Sequence, residues 1–513
     1  MPSAAEKLAA SLEVLHALQK RGVVAIQSRD LSRVHRERLI KAGFLQPVMK
    51  GWYIASRPDE PTGESTAWYA SFWDFCAAYL TERFGDAWCL SPEQSLVLHT
   101  GNRTVPRQLL VRSPNGTKHI LELPFGTSLM DIKAGVPAPA HTDILDGLRV
   151  YKIIPALIDC GPGFFSSYPH EARAALSMIR NASEILPRLL DGGHSRIAGR
   201  LAGAFRNIGK DRVADDILKA MRAAGHSAPE SDPFEAPSPT PFTQSASAYK
   251  ARISAMWQSM AADIADAFPT PPSRPNDIET YLKRVDDAYL ADAYHSLSIE
   301  GYRVSPALIE KVRDGNWNPD TNTEDRDHRN ALAARGYWEA FQAVRESLRA
   351  ILEGENPGMI VERDHGDWYR QLFSPSVAAG LAKAADLAGY RSGPVYLRNS
   401  MYVPPSSAAV LDMMEAFFEL LTNEKTPASR VVLGHFVFVY IHPYMDGNGR
   451  MGRFLMNAML ASAGYNWTII PVERRNDYMA ALEAASVGQD IRPFARFIGE
   501  LVTANGRGTD TPS

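Results

Sequence analysis

Apolar residues recur at helical spacing near the start of the chain, at Leu8, Leu12, Leu15 and Leu18, and predict a first helix there. A short apolar step follows, Val23-Val24-Ala25-Ile26. Ser28-Arg29-Asp30-Leu31 reads as a capped helix start, and a further helix near Val34 to Ala42 stops at Gly43, a C-cap signal. Phe44 to Val48 and Gly51 to Ile54 then read as a two-stranded ribbon turning at Met49-Lys50. Residues 59–224 mix strand-like runs (Gln108 to Arg112, His119 to Leu123, Leu148 to Ile154) with helices rich in Ala, Leu and Arg. Residues 225–245 change texture: five prolines among small polar residues cannot bury a core, and they predict a semi-rigid linker. From Ala246 to Thr503 helical periodicity dominates, with Val431 to Tyr440 apolar on nearly every face and hence a buried helix.

At roughly 150 residues per domain, the 513 residues suggest about three domains. A hydrophobic fraction of 45% and a charged fraction of 22% are ordinary globular values and exclude disorder throughout and collagen-like repeats. Three cysteines, Cys76, Cys89 and Cys160, without a CxxC pair, argue against a disulfide framework and a cysteine-rich zinc site. No signal-peptide pattern and no run of eighteen apolar residues is read, so the expectation is a soluble, cytoplasmic protein with no membrane contact.

The net charge of −3 steers the whole chain toward no particular partner. Residues 1–58 differ, with ten basic residues against four acidic ones. Helix, helix, basic helix and hairpin is the layout of a winged helix-turn-helix, which makes Arg33, Arg36 and Arg38 candidate DNA contacts.

Residues 441–453 read Ile-His-Pro-Tyr-Met-Asp-Gly-Asn-Gly-Arg-Met-Gly-Arg. Pro443 ends the buried helix just after His442, Gly447 and Gly449 permit unusual backbone angles, and Met451 to Leu460 is helical again. A glycine loop feeding a helix N-terminus is an anion site, because free amides and the helix dipole both favour phosphate. His442 can accept a proton near neutral pH. Asp446 offers oxygen to a hard cation such as Mg²⁺. Arg450 and Arg453, three apart on one helix side, present forks that suit phosphate oxygens. Together these residues suit attack on a nucleotide phosphate. His435, on the apolar helix, reads as a packed core histidine.

This stretch resembles the Fic family signature, H-x-F-x-D/E-G-N-G-R-x-x-R, with Tyr444 where the family usually has Phe. The resemblance covers residues 246–503. Ser392 to Arg398, through Val403-Pro404-Pro405, looks like the family's flap, and Asn476-Asp477-Tyr478 with Arg492-Pro493-Phe494 looks like its closing helices. The implied fold is multidomain. A mainly α-helical Fic domain with a β-hairpin flap follows an α+β region that begins with the winged helix-turn-helix.

The implied activity is transfer of AMP from ATP to a Tyr, Thr or Ser hydroxyl of a target protein, or of the chain itself. By the same resemblance, His442 is the general base and Asp446 holds Mg²⁺. Gly447, Asn448 and Gly449 form the anion hole, Arg450 and Arg453 meet the outer phosphates, and Asn457 and Tyr478 stand near the nucleoside. Tyr396 and Leu397 belong to the target-docking flap. Relatives that transfer the γ-phosphate carry Lys where this chain has Gly449, which disfavours kinase-like transfer. The resemblance leaves a homodimer open.

Ser296-Leu-Ser-Ile-Glu300-Gly301 resembles the family's inhibitory motif, S/T-x-x-x-E-G/N, at the end of a helical pattern running from Asp277. The implied logic is competition, with Glu300 pairing with Arg453 in the place that the γ-phosphate needs. Charged hydrogen bonds of this kind contribute on the order of 1.5–3 kcal/mol, roughly a ten- to hundredfold bias. Relatives with this arrangement also remove AMP. The Arg33 to Arg38 helix and the Gly51-Trp52-Tyr53 strand resemble the N-terminal module of AbiEi-type antitoxins. A rival reading is therefore a DNA-binding regulator or antitoxin-like protein whose Fic half senses nucleotide.

Overall fold

Leu15 and Leu18 bury one side of the first helix, Ala4–Lys20, in a small core with Ile26, Leu31, Leu39 and Leu45. The computed structural model describes residues 3–58, 64–236, 247–272, 275, 277–317 and 328–507. Two units divide the chain, residues 1–252 with 396–404, and residues 253–395 with 405–513.

In the first unit, β1 (Ala25–Gln27), β2 (Leu45–Met49) and β3 (Trp52–Ala55) form an antiparallel sheet in the order β1-β3-β2. The ribbon expected at 44–54 is β2 and β3. The helix expected at Ser28 is a turn instead. The Asp30 carboxylate accepts the Gln27 N–H at 2.7 Å, and this local bond competes with helix formation. Ser32 caps the following helix, Arg33–Lys41, through the His35 N–H. The module thus has two helices and three strands, one helix fewer than the winged layout expected.

Trp52 packs edge-on against Phe75 and Tyr79 of the helix Thr66–Phe84, in a second core with Trp68, Phe72 and Trp73. A mixed sheet follows in the order β4-β5-β7-β6. Its strands are β4 (Cys89–Leu90), β5 (Gln108–Ser113), β6 (Ile120–Leu123) and β7 (Thr127–Lys133), with β5 and β7 parallel. A separate hairpin pairs β8 (Thr142–Leu145) with β9 (Leu148–Tyr151). Helices from Ile153–Asp159 to Asp211–Ala223 complete a third core. The three cysteines are free and buried.

Part of the expected linker folds onto this unit. The Ser231 N–H donates to Gly199 O at 3.2 Å, Arg173 Nη2 donates to Ala236 O at 2.8 Å, and Phe234 is buried against Phe165. Gly199 makes this approach possible, since a Cβ there would fall 1.9 Å from Pro229 O. Residues 237–245 of the expected linker lie outside the described residues, and the division between the units falls after Arg252, within the helix Ala248–Ala262.

The segment read as a β-hairpin flap carries no strand; Arg398-Asn399 is a turn. Tyr396 to Pro404 belongs to the first unit. Val403 is buried in its aromatic core, and the Val105 N–H donates to Met401 O at 2.9 Å. Tyr396 is exposed and Leu397 half-buried. A segment whose backbone and side chains are engaged one residue at a time has no free edge with which to build a ladder.

The second unit is helical. Pro427–Ile441 and Asn448–Ser462 pack along each other, with His328–Leu352 and Pro357–Ala378 against the latter. Gly452 sets the spacing of the central pair, because a Cβ there would lie 2.7 Å from Val439 Cγ1. Among the described residues no helix is long and apolar enough to cross a membrane.

Candidate active site

Six residues, 442–447, connect the two central helices. His442 ends the first with φ 54° and ψ 59°, the left-handed region that a side chain rarely takes. Its Nδ1 lies 3.2 Å from Val439 O. A carbonyl only accepts, so Nδ1 carries the proton and Nε2 keeps its lone pair. Burial pushes the ring down to about 4, against the Val439 carbonyl that raises it; Arg391 adds to the lowering. The imidazole is therefore neutral near pH 7, as a proton acceptor must be.

The loop is braced from within. Asn448 Oδ1 accepts the Tyr444 N–H at 2.9 Å and its Nδ2 donates to Tyr444 O at 2.8 Å. Tyr444 in turn stacks on Tyr369, with ring centroids 3.8 Å apart and planes 7° from parallel. Gly447 takes φ 81°, and a Cβ there would strike Phe373 at 2.7 Å. The Asn448, Gly449 and Arg450 amides precede the first intrahelical bond of their helix, from the Met451 N–H to Gly447 O. These are the N-terminal donors that favour an anion. Asn448 thus presents its amide N–H at the helix N-terminus, while its side chain closes the loop.

Arg450 is 1% exposed, between the rings of Tyr302 and Phe373 at 5.2 and 5.0 Å. Its Nε has no hydrogen bond, and Nη2 reaches Asp446 Oδ1 only at 3.5 Å. Arg453 is 3% exposed; its Nη1 is also without a hydrogen bond. Buried guanidinium donors without acceptors are costly, and phosphate oxygens would satisfy them. The Asp446 side chain is 66% exposed and open to a hard cation. Among the described residues no cluster of three or more His, Cys, Asp or Glu side chains could hold a metal. A cation at Asp446 would therefore take its remaining ligands from phosphate and water.

The remaining donors of Arg453 belong to a distant helix. Ile278–Ile299 is capped at its start by the Asp277 carboxylate and ends with Glu300 as C-cap and Gly301 at φ 86°. Arg453 Nε donates to Ser296 Oγ at 2.8 Å, and its Nη2 to Ser296 O at 3.1 Å and Glu300 Oε1 at 2.7 Å. Burial raises the Glu300 carboxyl, but Arg453 and Arg450 outweigh it and hold the group below the usual glutamate value. One turn before Ser296, Asp292 is buried and accepts the Tyr337 hydroxyl at 2.6 Å, and burial pushes its carboxyl up to about 6.

The structure thus brings together His442, Asp446, the 447–449 loop, Arg450, Arg453, Ser296 and Glu300. Asn457 and Tyr478 are placed differently. Asn457 is 1% exposed, and its amide is committed to Arg453 O and to both backbone groups of Thr468. The Tyr478 hydroxyl lies 2.8 Å from Nε2 of the core His435, whose Nδ1 lies 2.8 Å from Gly452 O. In the first unit, Arg33 is exposed but paired with Glu37. Arg36 Nη1 donates to Ser28 O, and Arg38 Nη1 to Lys7 O and Ser11 Oγ. Two of the three candidate DNA contacts are therefore committed inside the module. Tyr302, Phe373, Arg391 and the Asp292–Tyr337 pair carry no local sequence signal, apart from the four-residue spacing of Asp292, Ser296 and Glu300.

A neutral imidazole beside a glycine loop at a helix N-terminus, with two buried arginines, makes a loop–helix site whose donors suit an anion. Residues 362–460 match the Fic/DOC family model, and this segment is a Fic/DOC family domain. Over 218 residues the chain is 32% identical to the protein adenylyltransferase Fic of Drosophila grimshawi, a match that covers 42% of this chain and 41% of that protein. It is similar to the Aedes aegypti protein of the same name at 30% identity over 230 residues, 44% of this chain and 42% of that one. The chain thus spans about two-fifths of the length of these curated relatives. Among solved structures, Fic-1 (residues 134–508) from C. elegans matches at 22% identity and a TM-score of 0.36, over 66% of this chain and 96% of that one.

Proposed function

We propose that the chain is a protein adenylyltransferase that transfers AMP from ATP to a protein hydroxyl and is restrained by its own Glu300. The observation that carries this reading is the place of the Glu300 carboxylate. It bonds Arg453 and lies so close to Gly449 that a Cβ there would approach Oε1 to 2.3 Å. A chain-borne anion thus stands in the anion nest, beside a neutral imidazole.

In the proposed reaction, Nε2 of His442 takes the proton of the target hydroxyl. The hydroxyl oxygen bonds the α-phosphorus, and the bond to pyrophosphate breaks. The loop amides and the unbonded donors of Arg450 and Arg453 receive the phosphate oxygens. Mg²⁺ held at Asp446 would neutralise phosphate charge. While Glu300 is seated, Arg453 is engaged and the outermost phosphate has no place, so ATP binding and the Glu300–Arg453 pair compete.

The similarity to proteins named adenylyltransferases, over two-fifths of their length, supports the same reading. Two labelled nucleotides test it. ATP labelled at the α-phosphorus leaves label on protein in the Glu300→Gly variant, and ATP labelled at the γ-phosphorus leaves none. Retention of the γ label, or of neither, refutes the proposal.

A further inference from the structure

Arg391 grips the turn that carries the base. It is 4% exposed, and its backbone N–H donates to Pro443 O at 2.8 Å. Its Nε donates to His442 O at 2.7 Å, and Nη2 lies 3.5 Å from Ile441 O. The same guanidinium reaches Gly393 O at 3.0 Å through Nη1 and Pro405 O at 2.5 Å through Nη2.

The carbonyls of Ile441 and His442 belong to the two peptide planes on either side of the His442 Cα. Holding both planes fixes φ and ψ at that residue, and with them the direction of the side chain. This matters because a non-glycine residue in the left-handed region costs of order 1–3 kcal/mol and persists only where its surroundings impose it. Helices commonly end in that conformation on a glycine, but a base needs a side chain. A buried cation that donates to the carbonyls of the last turn supplies what glycine would otherwise provide.

We propose that Arg391 is a positioning residue, whose guanidinium imposes the left-handed backbone of His442 and so aims Nε2 at the reacting hydroxyl. The inference rests on the adenylyl-transfer reading of the same site. The other charged groups facing the imidazole are Glu300 and Asp446, and neither bonds the turn's carbonyls that Arg391 holds.

The test places Arg391→Met and Arg391→Lys in the Glu300→Gly background. A misplaced base costs up to about a hundredfold in rate. The methionine variant should therefore lose ten- to a hundredfold in kcat, with ATP affinity by calorimetry within about twofold of the parent. Lysine keeps the buried charge but not the fork, should recover part of kcat, and carries the same test where the methionine variant does not fold. In parallel, NMR of histidine-labelled protein, with His442 assigned by its loss in His442→Ala, should show its ring signals displaced while those of His435 stay. Unchanged kcat, equal losses in kcat and ATP affinity, or an unmoved His442 signal would overturn the proposal. A Glu300→Gly parent that transfers no AMP refutes the adenylyl-transfer reading, and the NMR comparison still decides the placement of His442.

Discussion

Glu300 and Arg453 stand 153 positions apart in sequence and form a 2.7 Å charged hydrogen bond, with the arginine 3% exposed and also bonded to Ser296. The end of one helix is thereby fastened to the helix that follows the glycine loop. The arginine that phosphate would engage is engaged by the chain itself.

Removing that carboxylate should release the site. The transfer rate of Glu300→Gly is expected to exceed the wild-type rate by roughly ten- to a hundredfold, the range set by a charged hydrogen bond. Initial rates with labelled ATP measure it. Glu300→Gln, which keeps shape but not charge, should fall between the two. Because the folded-state Glu300 carboxyl is lowered, its contribution to stability is present above the ordinary glutamate pKa and is lost as pH falls through the lowered value. The stability difference between wild type and Glu300→Gln should therefore shrink on acidification.

Gly449→Ala should act in the opposite direction. Its Cβ would occupy the space where Glu300 Oε1 now lies, 2.3 Å away, and also approach Arg453 Nη1 at 3.2 Å. In the Glu300→Gly background this methyl group stands where a phosphate oxygen would bind. Calorimetry should show ATP affinity at least tenfold weaker, with the circular dichroism of the parent retained.

The pH profile of transfer should be flat on its acid side from about pH 6 to 8. Burial holds His442 at about 4, so its neutral form dominates throughout that range. An ordinary histidine would lose half its base form near pH 6.5. Rates of Glu300→Gly across this range, at saturating ATP, check the claim.

Asp292 gives a stability prediction. Its carboxyl is raised to about 6 by burial, above the ordinary 3.8. Between those values the folded protein holds a proton that the unfolded chain has lost, so stability falls as pH rises through the window. Asp292→Asn stays neutral and should remove that slope, an effect of about 1–3 kcal/mol. Thermal unfolding at pH 4 and pH 7 measures it.

The loop and helix start between His442 and Arg453 are legible in the sequence because in a tight loop and one helical turn sequence neighbours are also spatial neighbours. Ser296 and Glu300 were legible through their motif, which the structure also explains as a helix end: Gly301 closes the helix, leaving Glu300 at its cap. The family resemblance implies Asn457 and Tyr478 near the nucleoside, while tertiary packing commits both to interior partners. Arg391, Tyr302 and Phe373 carry no signal in the sequence, since only folding brings them to the loop. In the first unit, the Asp30 bond to Gln27 overrode a plausible helix start, and Gly199 let a proline-rich stretch lie on a helix instead of running free. Strand β7 pairs in parallel with β5, a non-local ladder with little local pattern to announce it.

Intact-mass spectrometry after incubation with ATP and Mg²⁺ measures the central claim most directly. Glu300→Gly should gain the mass of one or more AMP groups, wild type far less, and Glu300→Gly/His442→Ala none. An unmodified Glu300→Gly protein and co-incubated protein pool, or an AMP adduct that survives loss of His442, would contradict the account.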